Sequence, residues 1–166
     1  MSLKPFTVLV AILAFCTSLM AQQKEPFLGI WELNHGKSRF TLREAPKSQT
    51  FVMVVEPGGF KSTRATLNEN NTTNVEIHHY NFDGNFHQTE GGDQRELSFK
   101  RVDLYTIDET ARRNRNGQIN VTTRRIQLSP DGKTMTIKSS GTGADRQDDI
   151  RVYDKRNPEV LPEGKH

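Results

Sequence analysis

The chain has 166 residues, with 23 lysines and arginines against 20 aspartates and glutamates and a formal net charge of +3. Basic and acidic residues are interleaved, which excludes the basic stripe or face of a nucleic-acid binder. The single cysteine, Cys16, excludes an intrachain disulfide, and a hydrophobic fraction of 33% is low for two packed layers with fully apolar inner faces.

The first element is a leader. Lys4, the apolar run from Phe6 to Phe15 and the small-residue exit Ser18-Leu19-Met20-Ala21 read as an export signal cleaved after Ala21. The run is shorter than the roughly 20 apolar residues that span a bilayer, so no stable membrane insertion is expected after cleavage. Leu13-Ala14-Phe15-Cys16 has the outline of a lipid-attachment box, but bulky Phe15 stands where a small residue is wanted. The expected organisation is a signal peptide over 1–21, one β-barrel domain over 22–156 and a flexible tail over 157–166, in a periplasmic or extracellular protein. About 145 mature residues suffice for one domain. They contain no cysteine, and therefore no thiolate nucleophile or thiolate metal site.

The first strand is Phe27-Leu28-Gly29-Ile30-Trp31-Glu32-Leu33-Asn34, which carries the only tryptophan. Further along, Phe51 to Val55 alternates and turns at Glu56-Pro57-Gly58-Gly59 into Phe60 to Leu67. Val75 to Phe82 is closed by Asp83-Gly84. Leu97-Phe99, Leu104-Tyr105-Thr106-Ile107, Ile119-Val121, Met135-Ile137 and Ile150-Val152 each keep a period of two. Asn116-Gly117 and Pro130-Asp131-Gly132 mark tight turns. No window sustains a helical period. The pattern predicts an all-β fold, an antiparallel meander of about eight or nine strands that closes into a barrel.

Several strands are polar on both sides, as in Gln118-Ile119-Asn120-Val121-Thr122-Thr123-Arg124-Arg125, which suits a barrel with a partly polar interior. His78 and His79 are adjacent, so a regular strand sends them to opposite faces. The turn at Asp83-Gly84 brings one of them toward His87. Tyr80, Phe82 and Phe86 beside His79 and His87 have the composition of a small-molecule rim, apolar surface with a few polar groups; the same rings also suit a filled core. Two histidines with Glu90 or Asp93 would make a zinc site, but no metal-ligand spacing is present, and no metal or cofactor is assigned. Arg112-Arg113-Asn114-Arg115 and Arg124-Arg125 either capture an anionic group by bidentate hydrogen bonds or form a solvated turn. Catalytic signatures are absent: there is no Gly-x-Ser-x-Gly elbow, His-Glu-x-x-His helix, phosphate loop or dinucleotide fingerprint. Asp148 and Asp149 point to opposite faces of an extended segment. The chain reads more as a binding protein than as an enzyme, although a histidine–carboxylate pair built on His79 or His87 leaves acid–base chemistry open.

Gly29-Ile30-Trp31-Glu32-Leu33-Asn34, Lys37-Ser38-Arg39-Phe40, Pro46-Lys47-Ser48, Asp131-Gly132-Lys133-Thr134-Met135-Thr136 and Val152-Tyr153-Asp154-Lys155 together resemble a group of small exported bacterial proteins of lipocalin-like, calycin type, largely without assigned activity. The resemblance implies a calycin-like barrel in which Trp31 plugs the closed end under a basic side chain from the last strand. Gly29, Trp31 and Arg151 are the expected closure set, with Lys155 as the other candidate cation. The expected ligand-binding residues are His79, Tyr80, Phe82, Phe86, His87, Arg112 and Arg124. Two functions follow. One is a carrier of a small apolar or amphipathic ligand in the barrel; the other is an envelope or extracellular interaction protein whose barrel is filled by its own side chains. A continuous cavity of about 300 Å³ or more favours the first and a filled interior the second. The sequence does not indicate an oligomeric state.

Overall fold

The computed structural model describes residues 25–41, 44–91, 95–141 and 148–156, apart from the side chain of Arg115. The leader over 1–21 with Lys4 and Cys16, Asp93, and the tail over 157–166 lie outside the described residues. Ten strands run in order: β1 Gly29–Leu33, β2 Ser48–Glu56, β3 Gly59–Leu67, β4 Thr73–Tyr80, β5 His87–Gln88, β6 Glu96–Asp103, β7 Thr106–Arg115, β8 Gln118–Leu128, β9 Thr134–Gly141 and β10 Ile150–Lys155. Among the described residues the helical content is one 3₁₀ turn, His35–Lys37, capped by the Asn34 side chain.

Every pairing is antiparallel, in the order β4-β3-β2-β1-β10-β9-β8-β7-β6-β5. The chain thus goes round once, and β1 joins β10 through the pairs Trp31↔Lys155 and Leu33↔Tyr153. The free edges at β4 and β5 meet where Ile77 and Glu90 exchange backbone hydrogen bonds of 2.9 and 3.2 Å. The result is a nearly closed all-β barrel, which leaves little unpaired edge.

The strand count exceeds the sequence reading because β5 has two residues, too few to display a period. Leu104 and Tyr105 form a turn and not a strand: the Asp103 carboxylate accepts the Tyr105 N–H at 2.8 Å, and the register shifts between Arg101 and Asp103. At Asn116 and Gly117 both φ angles are positive, 51° and 83°, the two-residue hairpin geometry that Asn-Gly favours.

The inner face changes character along the barrel axis. On β3 it runs Phe60, Ser62, Arg64, Thr66; on β4, Tyr80, His78, Glu76; on β8, Leu128, Ile126, Arg124, Thr122, Asn120. One half is therefore an aromatic and aliphatic core. Phe27, Phe60, Tyr80 and Phe99 stack in succession with centroids 6.0, 4.4 and 4.0 Å apart, each contact adding roughly 0.5–1.5 kcal/mol beyond burial. Trp31, Ile107, Ile126 and Met135 are among the other members of this core. The other half is polar and charged.

Candidate functional site

The apolar end is sealed by cations lying on rings. Trp31 is fully buried and donates its indole N–H to the Phe27 carbonyl at 2.8 Å. The cation over its face is Lys155, 4.9 Å from the ring centroid, with its ammonium on the Pro26 carbonyl at 2.9 Å. Arg151, expected in that role, is displaced from it. Lys155 is the direct cross-strand partner of Trp31, whereas Arg151 lies four residues earlier, about 13 Å along β10 at roughly 3.3 Å per residue. Gly29 gives the Lys155 stem room. Its φ is +125°, and a Cβ there would stand 3.0 Å from the Lys155 Cε. Arg101 closes the rest of this end, 4.6 Å from the Phe82 ring and paired with Glu25 at 2.7 Å.

The polar half holds a cavity of about 190 Å³. Its charged wall is assembled by strand register. Arg64 stands opposite Glu76 across β3 and β4 and pairs with it. Arg124 stands opposite Glu109 across β7 and β8 and pairs with it. Arg95 reaches the Glu76 carboxylate at 2.7 Å, and His78 Nε2 lies 3.1 Å from the same oxygen. Arg151 donates to Asp149 at 3.1 Å, and Asp149 also accepts the Thr41 N–H at 2.9 Å. Tyr153 donates its hydroxyl to Gln49, whose amide donates to Thr66 at 2.7 Å. Arg64, His78, Glu109, Arg124, Arg151 and Tyr153 border a second, deeper space of about 20 Å³, room for roughly one water.

These charges act strongly on one another because they are buried. Desolvation, with Arg95 and Arg124 nearby, lowers the Arg64 guanidinium to about 9. Burial alone would raise the Glu109 carboxyl, but Arg124 and the other arginines hold it below the usual carboxylate range. Burial, then Arg64, push His78 well below 6.5, so this imidazole is neutral. Arg95 and Arg124 also oppose its protonation, whereas Glu109 favours it. The unfolded chain binds that proton near pH 6.5 and the folded chain does not. His78 therefore supports full stability above pH 6.5 and withdraws it as the pH falls. We expect unfolding free energy to decline between pH 7 and pH 5 with a slope approaching about 1.4 kcal/mol per pH unit. His78→Gln should flatten that slope in urea titrations; an unchanged slope in the variant would assign it elsewhere.

The structure separates the residues expected to bind ligand. Tyr80 and Arg124 face inward, Tyr80 in the aromatic stack and Arg124 on the cavity wall. Phe82 packs at the apolar end. Arg112 borders the cavity, but its guanidinium is held by Glu96 at 2.6 Å and lies 4.0 Å from the Phe86 centroid. His79 is on the outer face, 28% exposed, between Glu56 at 2.9 Å and Glu90 at 3.2 Å, because the inward histidine of the pair is His78. His87 pairs with Asp83 at 2.8 Å, so His79 and His87 do not converge. Among the described residues no group of three His, Cys, Asp or Glu side chains is arranged to hold a metal.

Arg64, Glu76, Arg95 and Glu109 were not singled out from the sequence, and His78 was named beside His79 without being placed among the ligand-binding residues. Their signal was there in part, as polar residues every second position, but Val75 and Ile77 alternate with Glu76 and His78. Ordinary patterning assigns those apolar side chains to the inside, and Val75 is 47% exposed.

No protein-family model matches the chain, and no curated protein shows significant sequence similarity to it. Among solved structures it is similar to a Schistosoma mansoni fatty acid binding protein in complex with arachidonic acid, with a TM-score of 0.51 and 14% identity over 80% of this chain and 97% of that one. At that identity the likeness is one of fold. Ten antiparallel strands wound once into a nearly closed barrel, with a tryptophan plug at one end and a cavity at the other, give this chain a calycin-type fold.

Proposed function

We propose that the protein is an exported barrel that binds a small anionic molecule in its polar half. The observation that carries this reading is the convergence of Arg64, Arg95, Arg124 and Arg151 on one cavity that opens to solvent, where they outnumber the lining carboxylates Glu44 and Glu76. Guanidinium groups crowded together repel one another, and at Arg64 the nearby Arg95 and Arg124 add to the desolvation that lowers it. A carboxylate or phosphate there offsets that repulsion through short charge-assisted hydrogen bonds. A protein of the same fold binds arachidonic acid, a precedent for an acid held inside such a barrel. Export rests on the leader sequence from Lys4 to Ala21.

The competing reading, a filled barrel that works through its surface, draws on the filled apolar half and on exposed Val52, Val54 and Val75 on the outer face of β2 and β4. The arginine-lined cavity, at about 190 Å³, is below the roughly 300 Å³ usual for drug-sized ligands, which also leans that way and limits the carrier to small ligands at that site. The larger space of about 590 Å³ lies along β6 to β9 beside Lys100, Asp108, Arg125 and Lys138. The deciding experiment uses protein purified from its own host, with intact mass to show whether it begins at Gln22, titrated by calorimetry with gluconate against sorbitol and octanoate against octanol. We expect at least one anion to bind tenfold or more tightly than its neutral partner, and Arg151→Gln to remove that preference. Equal binding of acid and alcohol, or no binding, rejects the anion site.

A further inference from the structure

We propose that the anion taken by this cavity is hydrophilic along its whole length, a hydroxylated carboxylate or phosphate ester of the sugar-acid or sugar-phosphate class, and not one with an acyl chain. This rests on the anion-binding reading above and narrows it.

The cavity wall is the first reason. Of the sixteen described residues that line the 190 Å³ space, only Pro46 and Ala111 are apolar. Between the arginines stand amides and hydroxyls on neighbouring strands. Asn74 faces Thr66 across β3 and β4, and Thr122 faces Ala111 across β7 and β8, one alternation from Asn120. An alkyl chain against these groups would strip water from them and return no hydrogen bonds, which is unfavourable. A polyol returns them. The Thr66 hydroxyl oxygen already accepts from Gln49, so its proton is available to a ligand oxygen.

The floor is the second reason. A long chain needs a path into the apolar half, and among the described residues the space leading from the polar cavity toward it is narrow. The Gln49–Tyr153 hydrogen bond and the edge contact of Phe51 on Tyr153, centroids 5.1 Å apart, join β2 to β10 on the wall centred on β1, at the level where the lining changes from polar to aromatic. The space between the polar cavity and the aromatic rings of Phe51 and Tyr80 is about 20 Å³, enough for a water and not for a methylene chain. The larger space of about 590 Å³ along β6 to β9 is lined by charged and hydroxyl side chains such as Lys100, Asp108, Arg125 and Lys138 and is no more suited to an acyl chain. His78 Nδ1, buried and without a protein partner, is a polar atom on the wall of this deeper space.

The test is calorimetry on the mature protein with gluconate, glucose 6-phosphate, inorganic phosphate and octanoate, repeated with Thr122→Val, which keeps shape and strand preference, and with Asn120→Leu. The proposal expects gluconate or glucose 6-phosphate to bind at least tenfold more tightly than octanoate and inorganic phosphate. Both variants should weaken that ligand fivefold or more while leaving inorganic phosphate unchanged; which hydroxylated ligand wins separates carboxylate from phosphate recognition. Octanoate binding as tightly as either hydroxylated anion overturns the proposal and leaves the anion site standing. So does inorganic phosphate matching the sugar phosphate, or variants that change nothing. No binding of any of the four overturns both readings.

Discussion

Glu76→Ala should lower the free energy of unfolding by about 3–5 kcal/mol, the usual loss when one partner of a buried ion pair is removed. Glu76 is 2% exposed and receives Arg64, Arg95 and His78. Without it two guanidinium groups remain buried in a half of the barrel that also contains Arg124 and Arg151. Urea unfolding followed by fluorescence of the single tryptophan, Trp31, measures the loss. Adding Arg64→Met to Glu76→Ala should restore part of it, because removing both partners leaves less uncompensated charge than removing one. A loss below about 1 kcal/mol would mean that the cluster is solvated to the degree of a surface ion pair, and the electrostatic basis of the anion site would fall with it.

Trp31→Ala is expected to cost a similar amount, about 3–5 kcal/mol, for a different reason. The ring is fully buried, and its removal opens a cavity between β1, β2 and β10, strips the Phe27 carbonyl of its indole donor and leaves Lys155 without the face it covers. Lys155→Met should cost less, roughly 0.5–2 kcal/mol for the cation–π contact, since the methionine stem still packs on the ring. Circular dichroism during urea unfolding reads both variants. If Lys155→Met proved as damaging as Trp31→Ala, the ammonium on the Pro26 carbonyl, and not ring burial, would be what closes this end. Neither residue lines the cavity, so anion binding in any folded fraction should be unaffected.

The sequence shows most clearly where structure depends on local rules. Asn116-Gly117 specifies its hairpin because two consecutive positive φ angles suit that dipeptide, and the alternation of Phe51 with Met53 or Phe60 with Ser62 is that of strands with one inner face. The all-β class, the antiparallel meander and the special place of Gly29 and Trp31 follow from such signals. β5 did not show, because two residues cannot display a period. The turn at Leu104-Tyr105 read as strand because its residues are apolar, while the side chain that bends the chain, Asp103, lies just outside that run.

The site depended on parity and register, which are properties of pairs of strands. A period of two says that His78 and His79 face opposite ways; it does not say which way, and a shift of one residue exchanges them. The Arg64–Glu76 and Arg124–Glu109 pairs join residues 12 and 15 positions apart, chosen by hairpin register. Arg95, the residue before β6, and Arg151, on β10, reach the same cavity from distant parts of the chain. The sequence by itself determined an alternating, turn-punctuated chain with a glycine–tryptophan opening strand, because each of those is set by backbone preference within a few residues. Tertiary structure alone decided that Lys155 and not Arg151 covers Trp31, that His78 and not His79 faces inward, and that arginines and carboxylates meet in one half of the barrel. Burying Phe60, Tyr80 and Phe99 together selects a single face for every strand, and the charged residues of the same parity are carried inside with them.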